Sequence, residues 1–161
     1  MVNVNINGKD IQVPAGSTIL EAAKELNIKI PTLCHLDLHD IKMVNQAASC
    51  RVCVVEVEGR RNLAPACATP VFEGMKTDTQ KAIRARRTVV ELLLSDHPKD
   101  CLICEKNTDC ELQSLAADLG IREIKYEGKM SEYPIDRSSY SIVRNMDKCV
   151  LCRRCETVCN N

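Results

Sequence analysis

The chain has 161 residues carrying 22 basic and 22 acidic side chains, a formal charge of zero, and three Tyr, one Phe and no Trp against eleven Cys. Balanced, scattered charge excludes a nucleic-acid-binding stripe, and so few rings limit the hydrophobic core, so a chain of this size leans on disulfides or metal for stability. No apolar run approaches the length of a bilayer span, and the opening Met1-Val2-Asn3-Val4-Asn5-Ile6 reads as a strand rather than a secretory leader. Together with the odd cysteine count, this argues against a disulfide framework and predicts reduced thiols in the cytoplasm, without direct membrane contact.

Val2 to Ile6 and Ile11 to Val13, separated by Asn7-Gly8, predict an antiparallel hairpin. Thr18 and Glu21 form a T-x-x-E capping box, and Ile19, Ala22, Ala23 and Leu26 give an apolar stripe at helical spacing that Pro31 ends ahead of Cys34. Val52 to Val57 is β-rich, Asn62 to Ala64 is its expected return, and Met75 to Thr79 is expected as a last strand. Residues 1–79 should therefore form a small sheet packed on one helix, a β-grasp arrangement within an α+β chain. From Gln80 to Ser95, Ile83, Val90, Leu93 and Leu94 share one face while Arg84, Arg86 and Arg87 sit elsewhere, predicting a solvent-washed amphipathic helix. Glu111 to Leu119 predicts another helix, stopped by Gly120, and residues 80–126 make a second unit. Polar residues 127–141 read as a connector, and 142–161 as a third unit that breaks off early.

Eleven cysteines and one histidine fall into three sets with no cysteine left over. Cys34, Cys50, Cys53 and Cys67 supply the four thiolates that a [2Fe–2S] centre takes; a zinc tetrahedron fits the same residues, although zinc sites favour two short Cys pairs and only one is present. In His97-x3-Cys101-x2-Cys104-x5-Cys110 the thiolates are one short of four, and His97 lies at the right distance to complete a [4Fe–4S] set. Imidazole in place of thiolate removes one negative charge, which should raise that cluster's potential. His35 and His39 face no such vacancy and read as ordinary polar positions. Cys149, Cys152, Cys155 and Cys159 form the C-x2-C-x2-C-x3-C run of ferredoxin-type [4Fe–4S] sites, in which the fourth Cys often serves a neighbouring cluster. The chain stops two residues after Cys159, so it is read as the amino-terminal part of a longer polypeptide. Cys159 then closes either the local cluster or an adjacent one. Arg153 and Arg154 would either stabilise a reduced cluster or form a solvated helix face. A reading of another class, a zinc-stabilised interaction or redox-sensing module, would be selected by colourless protein carrying zinc without iron or sulfide.

Segments Cys50-Arg51-Val52-Cys53-Val54-Val55-Glu56-Val57, His97-Pro98-Lys99-Asp100-Cys101-Leu102-Ile103-Cys104-Glu105-Lys106-Asn107, Cys110-Glu111-Leu112-Gln113 and Lys148-Cys149-Val150-Leu151-Cys152-Arg153-Arg154-Cys155 resemble the amino-terminal half of multidomain [FeFe]-hydrogenase catalytic subunits. The likeness is nearest to those of NAD-linked, electron-bifurcating complexes. The resemblance implies a β-grasp [2Fe–2S] domain, a [4Fe–4S] domain ligated by one His and three Cys, and the start of a bacterial-type ferredoxin domain that relays electrons to a hydrogen-activating site. It also implies, as partners, the remainder of the same subunit, flavin/NAD-binding and 2Fe–2S subunits, and ferredoxin. The interval between Cys34 and Cys50 is longer than this family leads one to expect, and the cysteine motifs of the hydrogen-activating site are absent, so this chain alone is not expected to be catalytic. The alternative within the same chemistry is the corresponding region of an NAD-linked formate dehydrogenase or a complex I-like subunit.

Overall fold

A computed structural model describes residues 1–38 and 48–160, which fall into two compact units: residues 1–86 with the segment from Arg153 onward, and residues 87–152. Most of the enlarged loop expected after Cys34, His39 included, lies outside the described residues. In chain order the elements are β1 (Val2–Ile6), β2 (Lys9–Val13), α1 (Ile19–Glu25), β3 (Val54–Val57), β4 (Ala64–Pro65), β5 (Met75–Asp78), α2 (Ile83–Ser95), α3 (Glu111–Asp118) and α4 (Arg154–Cys159).

The first unit carries a five-stranded mixed sheet in the order β2-β1-β5-β3-β4. β1 and β2 run antiparallel with Val2 opposite Val13 and Ile6 opposite Lys9. Asn7 and Gly8 both take positive φ, at 53° and 82°, the conformation that a two-residue turn needs to match strand twist. Asn7 also closes the sheet. Its side chain donates to Thr79 Oγ1 at 2.6 Å and accepts from the Thr79 N–H at 2.8 Å, tying the hairpin to the end of β5. β5 lies parallel to β1 and antiparallel to β3, and β4 is shorter than its expected span. Along β1, Val4 and Ile6 point inward while Asn3 and Asn5 do not, the period of two that half-buried strands require.

Helix α1 covers this sheet. Both bonds of its capping box are present, the Glu21 N–H to Thr18 Oγ1 at 3.2 Å and the Thr18 N–H to Glu21 Oε2 at 2.7 Å. Two further N–H groups of its first turn are met from outside the helix, Ile19 by the Thr69 carbonyl and Leu20 by the Ala66 carbonyl, each at 3.0 Å. These bonds fix the segment after β4 against the start of α1. Ile19, Ala22 and Ala23 pack into one core with Val4, Ile6, Val13, Val55, Val57 and Met75.

Helix α2 departs from expectation. Ile83 is 43% exposed, whereas Arg86, expected on the wet face, is only 4% exposed. The reason is a specific partner: Arg86 Nε donates to the Val54 carbonyl at 2.9 Å, so the guanidinium is drawn in against β3 and the apolar stripe turns partly outward.

In the second unit Val90, Leu112 and Leu115 are the buried apolar residues. α3 ends as its sequence predicts, with Gly120 at φ 66° and N–H bonds from Gly120 and Ile121 back to the Ala117 and Ala116 carbonyls. The connector is not featureless. Asp136 and Arg144 exchange backbone bonds at 2.8 and 2.9 Å, and their side chains pair at 2.7 Å. Among the described residues no helix is long and apolar enough to cross a membrane.

Candidate metal centre

Four thiols of the first unit meet. Cys53 immediately precedes β3 and Cys67 follows β4, and the β3–β4 register, with Val54 opposite Pro65, sets the two side by side. Their sulfurs stand 3.3 Å apart. Cys34, from the coil after α1, hydrogen-bonds through sulfur to both Cys50 and Cys67. The result is a continuous series Cys50, Cys34, Cys67, Cys53. Cys34, Cys53 and Cys67 are 2%, 1% and 6% exposed, and Cys50 is half-buried.

Backbone N–H groups are aimed at these sulfurs. The Val52 N–H lies 3.4 Å from Cys50 Sγ. Amides of Cys50 and Ser49 serve Cys34, those of Cys67 and Ala66 serve Cys53, and that of Ala48 serves Cys67. Such donors favour the ionised, ligating form of a thiol. Hydrogen bonding with Cys50 and Cys67 depresses the Cys34 thiol far below its ordinary value, and hydrogen bonding with Cys67, followed by those amides, draws Cys53 down to about 7. Cys50 and Cys67 are pushed strongly up, first by their bonds to Cys34 and then by burial and by neighbouring thiolate charge. Four thiols in one dry site cannot all ionise against one another. Cationic iron would supply the missing counter-charge, and a donor set of four sulfurs with amide N–H groups aimed at them fits a [2Fe–2S] centre. Among the described residues no three or more His, Cys, Asp or Glu side chains are grouped as a single-ion site.

The second set is spread along the second unit. His97 follows α2, Cys101 opens a 3₁₀ turn over Cys101–Ile103, Cys104 ends it, and Cys110 stands at the N-terminal boundary of α3. His97 Nδ1 is 3.1 Å from the Pro98 carbonyl. His97 and Cys101 share a recess with Leu94, Arg122 and Glu123, whereas Cys104 and Cys110 are half-buried outside it. The third set divides between the units, Cys149 and Cys152 in one, Cys155 and Cys159 on α4 in the other. A Lys148–Asp100 ion pair at 3.2 Å links the residue before Cys149 to the residue before Cys101. Arg153 is engaged by Glu156, its Nε 2.6 Å from Glu156 Oε2, and Arg154 is half-buried, so these arginines do not form a uniformly solvated face. His35 lines a recess with Leu20 and Lys24.

Two features of these sites escape cysteine spacing. One is Arg86, whose Nη2 is buried without a hydrogen-bond partner among the described residues. Burial lowers its pKa, and the Cys53 thiolate opposes that shift. The other is backbone strain. Ala48, Arg51, Thr108, Leu151 and Arg153 all take positive φ, between 56° and 72°, and each lies within two residues of a cysteine of the three sets. Left-handed conformations cost L-residues roughly 1–2 kcal/mol each and persist where the surrounding structure demands them. A side chain of no special type betrays none of this in sequence.

Residues 1–82 match the family model described as a 2Fe–2S iron–sulfur cluster binding domain, and residues 86–125 match the NADH-ubiquinone oxidoreductase-G iron–sulfur binding region. The chain is 63% identical over 163 aligned residues, 99% of its length, to the NADP-reducing hydrogenase subunit HndD of Solidesulfovibrio fructosivorans, of which it spans 28%. It is 37% identical to the NADH-ubiquinone oxidoreductase 75 kDa subunit of Reclinomonas americana, covering 96% of this chain and 22% of that one. Among solved structures, an NAD⁺-reducing [NiFe]-hydrogenase in the H₂-reduced state superposes with a TM-score of 0.84 at 30% identity, over 97% of this chain and 64% of that one.

Proposed function

The chain belongs to the family of 2Fe–2S iron–sulfur cluster binding domains, and from that premise we propose that it is a one-electron relay within a larger oxidoreductase subunit. Cys34, Cys50, Cys53 and Cys67 would hold a [2Fe–2S] centre. His97, Cys101, Cys104 and Cys110 would hold a [4Fe–4S] centre, and Cys149, Cys152 and Cys155 another, with Cys159 closing it or serving its neighbour. When bound, such clusters accept and release single electrons. The chain's own residues do the rest. Thiols ligate, the Val4–Met75 core keeps water from one side of the first site, and amide N–H groups offset the charge on sulfur. The His97 Nδ1 contact with the Pro98 carbonyl leaves Nε2 as the ligating nitrogen when Nδ1 carries the proton.

One observation carries this reading: four thiols, three of them buried, converge with backbone amide donors aimed at their sulfurs. The Asp100–Lys148 pair supports a relay within residues 87–152, because it links the residue before Cys101 to the residue before Cys149. The parent protein is read as a subunit of an NAD(P)-linked hydrogenase, for which 63% identity to a hydrogenase subunit is the support. The finer form, delivery of electrons to an [FeFe] site in a bifurcating complex with flavin/NAD-binding and 2Fe–2S subunits and ferredoxin, rests on the Cys152-Arg153-Arg154-Cys155 resemblance. A second reading, the iron–sulfur subunit of an NADH-ubiquinone oxidoreductase, is favoured by the family model matched at 86–125 and by 37% identity to a 75 kDa subunit of that enzyme. Anaerobic purification with iron and acid-labile sulfide analysis and low-temperature paramagnetic spectra tests the relay. Binuclear and tetranuclear signals are expected, and zinc without sulfide would end it.

A further inference from the structure

A buried arginine in a protein normally spends its fork on carboxylates. Arg86 does not. Its Nε is held by the Val54 carbonyl at 2.9 Å, its Nη2 is buried without a partner among the described residues, and the whole residue is 4% exposed. An uncompensated buried cation is costly, and burying one beside an apolar strand needs a nearby negative charge. The residue before Val54 is Cys53, a member of the four-thiol series, and no ion pair to Arg86 occurs among the described residues.

We infer that Arg86 is the fixed counter-charge of the four-cysteine centre, a positioning and tuning residue anchored on Val54 so that its guanidinium offsets the negative charge carried at Cys53. The inference rests on the [2Fe–2S] reading of that site. Four thiolates outweigh the charge of a binuclear ferric core, and adding an electron makes the site more negative still. In a medium of low effective dielectric, a fixed cation beside the site stabilises the reduced form more than the oxidised form. Arg86 therefore holds the midpoint potential up. Ligation itself needs only sulfur.

The test uses the whole 161-residue chain, reconstituted anaerobically, with Arg86→Lys, Arg86→Gln and Arg86→Met compared by redox titration of the binuclear paramagnetic signal. Gln keeps a donor for Val54, Met keeps the volume, and Lys keeps the charge. The neutral variants should lose at least roughly tenfold in the ratio of reduced to oxidised centre, a downward shift of about 59 mV for one electron, while Lys stays near the parent and tetranuclear signals do not move. If neither neutral variant assembles the centre but Lys does, the requirement for charge stands. Neutral variants with unchanged midpoints, or a Lys variant that falls as far as they do or fails to assemble, would overturn the inference. Absence of any binuclear signal in the unsubstituted chain would instead remove the [2Fe–2S] reading beneath it.

Discussion

The imidazole of His97 has one nitrogen committed to the Pro98 carbonyl at 3.1 Å, which leaves a single lone pair to offer a metal. A thiolate in its place would add one negative charge next to the cluster, so His97→Cys should keep a tetranuclear centre while lowering its midpoint. Potentiometric titration checks this, and an unchanged midpoint would place His97 outside the ligand shell. At this scale the sequence was most legible where chemistry restricts residue choice. Sulfur spacing alone singled out Cys34, Cys50, Cys53 and Cys67, which the fold brings together. It failed at Arg86, because helical periodicity assigns a charge to water by default and cannot see a carbonyl 32 residues upstream waiting for a donor. It was equally blind at Arg51, whose φ of 59° turns the next N–H toward Cys50 yet leaves no mark in composition.

Among the elements, α1 matters beyond its own turns, since the Ala66 and Thr69 carbonyls that bracket Cys67 accept its first N–H groups. Thr18→Ala removes the side-chain half of the capping box and should cost about 1 kcal/mol, read as a lower denaturant midpoint with unchanged slope. The hairpin, the capping box and the Gly120 stop were all readable, because each is a local backbone demand met by a particular residue type. The brevity of β4 and the outward turn of Ile83 were not, being set by neighbours distant in sequence. The Asp136–Arg144 bridge belongs with them, an ordered contact inside a stretch whose composition reads only as polar. Asp136 accepts from the Ser138 N–H and from Arg144, which hold its carboxyl well below the usual range. A depressed carboxyl stabilises only when ionised. The bridge should thus be intact above the ordinary carboxyl value near 4 and open as pH falls through the depressed one. Hydrogen exchange at the Asp136 and Arg144 amides should show that loss on acidification, and Asp136→Asn should show it already at neutral pH.

Across the whole molecule, the two units differ in how they are held. The first has a continuous apolar core in which Val4, Ile6, Val13, Ile19, Val55, Val57 and Met75 are all nearly or fully buried. Each such side chain contributes about 1.5–3 kcal/mol on burial, so the sheet and α1 have a source of stability besides metal. Residues 87–152 bury only Val90, Leu112 and Leu115 among their apolar side chains, while Leu102 and Ile103, beside Cys101, are 88% and 81% exposed. Too little surface is removed from water there to offset the conformational entropy of ordering the segment. Metal–ligand bonds at His97, Cys101, Cys104 and Cys110 would then supply folding energy to the second unit, as they do in small metal-dependent domains. Stripping iron with a chelator under reducing conditions should therefore act unequally. Amides of α3 and of the Cys101–Ile103 turn should exchange nearly as fast as in an unfolded chain, while those of β1, β3 and β5 remain protected, with only the segments around Cys34 and Cys50 loosened. Mass-resolved hydrogen exchange of loaded and stripped protein reads both units at once. Equal loss of protection in the two, or none in the second, would show that the apolar core is not what separates them.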